Sequence, residues 1–238
     1  MRHALAMVSP LTLLACATTD SSTLATTQIQ PRFTTKVEAS PNRPTTFVSA
    51  ILGQPGTMSN VRLAPGDVLT AKTDKDPQLG FAYNEILQVY SFTLENIVDR
   101  TQVTISLTRA NGTSAPLSTI QIPAALALKA PTAGRRVEYK GGAGSVEVSW
   151  SNPTNAGNVH FFAYPCGGVA GTTTDLQGPD SGTFTLQARS LAVAAPTKEE
   201  CVTVSMQRRA TGTVDPAFAA GSKFEGYRND FVNVTLVP

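Results

Sequence analysis

Short runs of alternating apolar and polar residues, separated by Gly, Pro, Asn and Asp, recur along most of this 238-residue chain. The run Gln102–Arg109 is typical. Its apolar residues are Val103, Ile105 and Leu107, and threonine or serine stands between them. A period of two places the apolar residues on one face of a strand. The pattern therefore predicts half-buried β-strands and disfavours a fold built on long helices.

The predicted strands form two groups. The first group is Thr46–Leu52, Val61–Leu63, Val68–Lys72, Gln88–Leu94, Gln102–Arg109 and Leu117–Ile122. The second group is Arg135–Tyr139, Ser145–Ser151, Asn158–Tyr164, Gly182–Ala188, Cys201–Arg208 and Gly226–Val237. The 31 threonines favour strands because threonine is β-branched. Asn111-Gly112 is typical of a hairpin turn. Short strands at this spacing predict sandwiches or barrels.

A proline-bounded segment divides the two groups of strands. It runs from Pro123 to Pro131, and the flanking prolines favour a connector over a helical turn at Ala124–Lys129. We therefore expect an all-β fold with two antiparallel β-sandwich domains in tandem, covering residues 45–125 and 131–238.

The first 15 residues have the pattern of a secretory signal peptide. A basic residue near the start, Arg2, precedes a short apolar run that ends in the small residue Ala15. The run is too short to cross a bilayer, which takes roughly 20 residues, and no later segment approaches that length. We expect an exported protein without a transmembrane helix in its mature form.

Leu13-Leu14-Ala15-Cys16 resembles the bacterial lipobox. The resemblance implies that Cys16 becomes the first mature residue and carries lipid, such as palmitate, that anchors the protein to a membrane. The residue after the cysteine is Ala17. In that family, a residue other than aspartate at this position implies sorting to the outer membrane of the cell envelope. An ordinary signal peptide with a chance cysteine is the alternative.

Residues 18–27 are small and polar, without an apolar period. Such a composition is typical of a flexible linker. We expect a lipidated tether over residues 16–44, with a root-mean-square reach of roughly 30 Å. The globular part would then stand away from the membrane.

The chain has three cysteines, and an odd number leaves one cysteine of an exported protein without a disulfide partner. With Cys16 assigned to lipid, Cys166 and Cys201 remain, and an oxidising compartment favours a disulfide between them. Such a bond would contribute roughly 3–4 kcal/mol in the chain-entropy model. A structural zinc site needs four ligands, and these two cysteines with one histidine supply only three.

The segment from Gly144 to Pro153, followed by the aromatic run Val159–Tyr164, resembles two strands of a fibronectin type III or related immunoglobulin-like domain. In that family a strand tryptophan fills the space between the sheets, which implies the same place for Trp150. The position of Cys201 at a strand start departs from the usual immunoglobulin spacing. The resemblance implies a fold and leaves function open.

Catalytic chemistry has little support in this sequence. After removal of the signal, His160 is the single histidine, and Asp175 or Asp180 could complete a Ser-His-Asp arrangement. A Gly-x-Ser-x-Gly motif is missing, however, and a lone strand histidine is usually structural. We expect no catalytic residues and no enzyme activity.

Metal, cofactor and nucleic-acid binding are also not expected. Asp67, Asp74 and Asp76 could ligate calcium, but ordinary turn chemistry is the favoured interpretation. A net charge of +2 is too small for a nucleic-acid footprint. We expect the basic pairs Arg135-Arg136 and Arg208-Arg209 to lie on solvated strand faces.

The leading hypothesis is a non-enzymatic envelope lipoprotein that displays its sandwich modules for binding, or serves as a structural spacer. Its partners would be the membrane, through the lipid, and an envelope protein. The loop from Gly167 to Gly182, Tyr164 and Tyr227 could form a binding surface. The rival hypothesis is a hydrolase of envelope glycans or peptides that uses loop carboxylates or His160.

Overall fold

A computed structural model describes residues 18–38, 45–74, 79–94, 99–167, 175–192 and 194–238. The described residues form β-strands and short 3₁₀ turns, with no α-helix among them, so the predicted all-β class is confirmed. Cys16 and Asp76 lie outside the described residues. No helix within these ranges has the length and apolar character needed to cross a membrane.

The strands follow the predicted runs closely. The first nine are β1 Thr18–Asp20, β2 Gln30–Glu38, β3 Thr45–Gly53, β4 Asn60–Arg62, β5 Val68–Thr73, β6 Leu79–Gly80, β7 Ala82–Asn84, β8 Val89–Leu94 and β9 Gln102–Thr108. The others are β10 Ala115–Gln121, β11 Leu128–Ala130, β12 Arg136–Glu138, β13 Ser145–Trp150, β14 Asn158–Pro165, β15 Leu176–Pro179, β16 Thr183–Gln187, β17 Glu200–Thr211 and β18 Lys223–Val237. Every predicted run coincides with one of these strands. The Asn111-Gly112 turn joins β9 to β10, and Gly112 takes a positive φ of 126° there.

The strands form three sheets. The large sheet has the order β1-β4-β3-β2-β18-β17-β14-β15, with β8 and β7 beside β3, and β12 beside β18. A second sheet has the order β10-β9-β5-β6, and a third has the order β11-β13-β16. Most pairs are antiparallel. The pairs β1 with β4, β18 with β2, and β12 with β18 are parallel.

Two apolar cores lie between these sheets, and each core together with the strands around it is called a body. In the first body, Phe33 and Val48 of the large sheet pack with Ile105 of the second sheet. In the second body, Phe161 of the large sheet packs with Trp150 of the third sheet, with ring centroids 5.8 Å apart. Trp150 is 3% exposed, so its expected place between two sheets is confirmed. The fold is therefore a pair of sandwiches that share one large sheet.

The hairpin of β17 and β18 belongs to both bodies. The two strands pair over their lengths, from Glu200 opposite Leu236 to Thr211 opposite Glu225. The beginning of β18 also pairs with β2, and its end pairs with β12. Phe224, at the start of β18, is buried in the first core. The structure therefore corrects the expected boundaries: the connector separates two cores, but part of residues 131–238 completes the first.

The expected flexible tether over residues 16–44 is wrong for residues 18–38. Strand β2 lies inside the large sheet between β3 and β18, and Phe33 in it is 1% exposed. The inward positions of β2 include Pro31 and Thr35, both buried, beside Phe33 and Val37. Proline and threonine weaken the apolar period, so this strand is inconspicuous in the sequence.

Candidate functional site

The buried side chain of Arg109 fixes the amino-terminal segment to the first body. Its Nη2 donates hydrogen bonds to the backbone oxygens of Ser21, at 2.7 Å, and Leu24, at 3.1 Å. Its Nε lies 2.7 Å from Oδ2 of Asp67, and both side chains are at most 3% exposed. The Ser21 hydroxyl donates to the same Oδ2 at 2.7 Å. Residues 21–24 are thereby held against the body.

The contacts of Asp67 bear on the question of whether the acidic loop residues bind calcium. The Asp67 carboxylate is occupied by Arg109, the Ser21 hydroxyl and the backbone N–H of Ala110, which leaves it a structural role. Asp74 is exposed on a bend. The described part of the chain contains no cluster of three or more His, Cys, Asp or Glu side chains arranged to hold a metal ion.

A second buried arginine binds the connector to the second body. Arg208 is 5% exposed, so the expectation that Arg208-Arg209 lies on a solvated face is wrong for Arg208. Its Nη1 donates to the backbone oxygens of Ala124, at 2.9 Å, and Ala125, at 2.7 Å. Its Nε lies 2.8 Å from Oδ2 of Asp180. A strand of the shared hairpin is thus bound directly to the connector between the bodies.

Asp180 is held as a charged group in the second core. Besides Arg208, its carboxylate accepts hydrogen bonds from Trp150 Nε1, at 2.8 Å, and the Thr154 hydroxyl, at 2.6 Å. Burial by itself would raise the pKa of Asp180, but the bonds from Arg208, Thr154 and Trp150 outweigh it and lower the pKa. Asp180 is therefore a structural ion and is not the partner of His160.

His160 contacts Asp175, one of the two aspartates that the sequence analysis named as its possible partners. His160 Nδ1 lies 2.9 Å from Oδ1 of Asp175, and the imidazole is parallel to the ring of Phe162 at a centroid distance of 6.4 Å. Arg209 Nη2 lies 3.7 Å from the other carboxylate oxygen of Asp175. His160 thus contacts a carboxylate and an aromatic ring, and neither of these two groups is a hydroxyl or thiol nucleophile.

Aromatic rings and a guanidinium continue across the outward face of the large sheet, the face remote from both cores. The Arg209 guanidinium lies 5.7 Å from the ring centroid of Phe162 and 5.9 Å from that of Tyr227, within the range of cation–π attraction. Burial and the hydrogen bond to Glu225 raise the pKa of Tyr227 to about 12. Phe231, four residues along the same strand, is 60% exposed. We call Phe162, Arg209, Tyr227 and Phe231 the aromatic face.

The predicted disulfide is present. Cys166 and Cys201 are bonded, with their Cα atoms 5.3 Å apart. The backbone N–H of Cys166 also donates to the oxygen of Cys201 at 3.0 Å. The bond links the residue after β14 to the beginning of β17. Of the loop from Gly167 to Gly182, residues 168–174 lie outside the described ranges.

Sequence reasoning missed the two buried ion pairs and the grouping of Phe162, Arg209, Tyr227 and Phe231 into one face. It did place Arg209 on a solvated strand face, where the structure has it, and it named Tyr227 as a possible binding residue. The partners Asp67 and Arg109 are separated by tens of residues and give no local signal.

No protein-family profile matches the sequence, and no curated protein does either. Two solved chicken structures are similar. The FN1-FN3 domains of CNTN1 share 9% identity with a TM-score of 0.30, over 88% of this chain and 69% of that one. A two-domain fibronectin type III segment of tenascin shares 15% identity with a TM-score of 0.24, over 88% of this chain and 99% of that one. Both TM-scores are low, so the fold assignment rests on the sheets and cores themselves.

Proposed function

We propose that this protein is a non-enzymatic lipoprotein of the bacterial envelope that presents two rigidly joined sandwiches, as a binding platform or a structural spacer. The anchor would be lipid on Cys16, in the outer membrane. The lipobox resemblance of residues 13–16 supports the anchor. The observation that carries the binding or spacer role is the hairpin of β17 and β18, which runs through both bodies.

A shared hairpin makes the junction between the bodies stiff. The backbone hydrogen bonds between β17 and β18 continue without a break from one body into the other. Side chains of the same two strands also bind the connector. Arg208 donates to Ala124 and Ala125, and the Asp230 carboxylate accepts from the backbone N–H of Leu128 at 2.7 Å. Bending at the connector would break these bonds. Such a molecule keeps a fixed distance and orientation, which suits a spacer or a display scaffold.

We assign partner binding to the aromatic face. Tyrosine, phenylalanine and arginine are enriched at the centres of protein interfaces. Here the guanidinium of Arg209 is already oriented between two rings, so little ordering would remain to be done on binding. Phe231 extends this face with an exposed ring.

Purification of the full-length protein from native membranes, followed by intact mass measurement, tests the proposal. We expect a mature chain that begins at Cys16 and carries added lipid mass, together with a co-purifying envelope protein. That protein should be lost from a Phe231→Glu variant and retained by a matched Leu117→Glu variant, since Leu117 is similarly exposed but lies in β10. An unmodified amino terminus would refute the anchor, and equal retention by both variants would refute the binding face.

An envelope hydrolase is the second candidate, and the His160–Asp175 contact favours it. In that case His160 would act as a base oriented by a carboxylate. Incubation of the purified protein with envelope glycans and peptides, with His160→Ala and Asp175→Asn as controls, distinguishes the two functions. Turnover that both substitutions abolish would replace the binding proposal.

A further inference from the structure

Two turns at one end of the first body carry highly exposed apolar side chains. Met58 lies in the turn before β4 and is 92% exposed. Ile86 and Leu87 lie in the turn between β7 and β8 and are 92% and 69% exposed. Single exposed apolar residues are common on proteins and need no explanation. Here three of them lie on two turns that are linked by the Asn60–Gln88 hydrogen bond, and we call Met58, Ile86 and Leu87 the anchor-side patch.

The first described residue, Thr18, lies between these two turns. It opens β1 and pairs with Asn60, two residues after Met58. Gln88, which follows Leu87, donates from Nε2 to the Thr18 hydroxyl at 3.4 Å and accepts from Asn60 Nδ2 at 2.6 Å. These contacts place both turn tips around the point where the chain enters the body.

Little chain separates this point from the proposed lipid. Cys16 is two residues before Thr18, and two residues of extended chain span at most about 7 Å. The segment that follows offers no slack, because β1 is paired with β4 and residues 21–24 are held by Arg109. A lipid on Cys16 would therefore hold this end of the first body at the bilayer surface.

We propose that Met58, Ile86 and Leu87 insert into the phospholipid surface beside the anchor and fix the orientation of the protein on the membrane. This inference rests on the proposed lipid attachment at Cys16. Apolar side chains next to an acyl anchor provide a second attachment, and membrane binding by two such elements is stronger than by one. The rigid junction would carry the fixed orientation through to the second body.

The charges around the patch are compatible with insertion. Residues 54–59, which include Met58, contain no charged side chain. Residues 85–88 contain only Glu85, whose carboxylate lies 2.6 Å from Nη2 of Arg62. Arg62 also lies over the ring of Tyr83 at 5.6 Å. Because Glu85 is paired with Arg62, Ile86 and Leu87 can enter the membrane interface without burying an unpaired charge.

Site-specific fluorescence on the full-length, lipidated protein tests the inference. Cys166 and Cys201 are bonded to each other and Cys16 would be acylated, so a new cysteine is the single free thiol. Leu87→Cys and Leu117→Cys form a matched pair, because both leucines are well exposed, at 69% and 65%. Each variant is labelled with a polarity-sensitive dye and reconstituted into vesicles of phosphatidylethanolamine and phosphatidylglycerol, with or without doxyl-labelled phospholipid.

We expect the dye at position 87 to emit at shorter wavelength in vesicles and to be quenched by the doxyl lipid, while the dye at position 117 shows neither effect. Ile86→Cys should behave like Leu87→Cys. Equal behaviour at positions 87 and 117 overturns the inference, and so does a wavelength shift at 87 without lipid quenching, which would indicate contact with protein.

The same samples separate this inference from the proposed function. Intact mass and dye stoichiometry report whether Cys16 is acylated, since an unmodified Cys16 would itself take up dye. Lipid present with an unquenched dye at position 87 refutes only the patch. Lipid absent refutes both proposals.

Discussion

The two buried arginine–aspartate pairs show why individual polar residues matter in this protein. Arg109 with Asp67 and Arg208 with Asp180 are almost completely removed from solvent. Removing an ion pair from water is costly, and it is offset only when several further hydrogen bonds satisfy both groups. Each arginine here donates to backbone oxygens as well, so each holds a further segment of the chain through its carbonyl groups.

Replacement of Asp67 by alanine should strongly destabilise the first body. The change leaves the Arg109 guanidinium buried without its counter-charge, and we expect a loss of about 3–5 kcal/mol in the free energy of unfolding. Chemical denaturation measures the loss. Asp74→Ala removes an exposed carboxylate from the same half of the chain and should change the free energy by less than about 0.5 kcal/mol. Similar values for the two variants would contradict the anchoring role of Arg109.

Tyr227 should make the protein sensitive to alkaline pH. Its folded pKa of about 12 exceeds the ordinary value of 10.0, so the unfolded chain loses its proton first. Stability from this group is therefore complete below pH 10.0 and decreases as the pH rises towards about 12. Ultraviolet titration of the phenolate should show a late step that Tyr227→Phe removes.

Glu225→Gln provides the matched control for this titration. The neutral amide removes the carboxylate beside the phenol, so the late step should move to lower pH without disappearing. A late step that is unchanged in Tyr227→Phe would assign it to another tyrosine and reject the prediction.

Among the elements, β2 and the ends of β14 and β17 show how non-local contacts hold the fold together. Strand β2 fills the position between β3 and β18, so the large sheet would be interrupted without it. The Cys166–Cys201 bond closes a loop of 35 residues at the opposite end of the chain. Both features act by holding together segments that are distant in sequence.

Loss of the disulfide should lower the stability of the second body. For Cys166→Ser with Cys201→Ser we expect a decrease of roughly 3–4 kcal/mol, because the unfolded chain regains the entropy of an open 35-residue loop. Denaturation followed by the fluorescence of Trp150, which lies in that core, measures the change. The wild-type protein in reducing agent should behave like the double variant. A difference below about 1 kcal/mol would show that the bond does not constrain the unfolded chain in this way.

At the scale of the whole molecule, the shared large sheet couples the two cores. The β17–β18 hairpin supplies Val204 and Met206 to the second core and Phe224 to the first. Folding of either body therefore helps to order a strand that the other body needs. Two sandwiches joined only by the connector would lack this coupling.

We expect the two bodies to unfold together, and a break in the hairpin should weaken both. Asn229→Pro removes a backbone donor at a position of β18 that pairs with β17 on one side and β2 on the other. A proline inside a sheet removes a ladder hydrogen bond and is tolerated only at edges or bulges, so the change should be strongly destabilising. Hydrogen exchange should accelerate in β3 and β9 as well as in β13 and β16. Asn229→Ala keeps the donor and should leave exchange in β9 and β13 nearly unchanged.

Exchange that accelerates in one body alone would contradict this coupling. The same result would weaken the proposed rigid spacer, because it would mean that the bodies respond to strain in the hairpin separately.

The sequence by itself determined the class of the fold, most of the strands and two of its specific contacts. A period of two is a local property, so runs such as Gln102–Arg109 are recognisable without knowledge of their neighbours. Trp150 was placed in a core by a local resemblance, and the Cys166–Cys201 bond followed from the parity of cysteines once Cys16 was assigned to lipid.

The tertiary structure alone decided where the chain is held together. The strand Gln30–Glu38 became ordered because β3 and β18 offer edges on both sides, although its own apolar period is weak. Arg208 is buried rather than solvated because Asp180 and the connector surround it. Such contacts join residues tens of positions apart, and their free energy depends on burial and geometry that exist only after the sheets have formed.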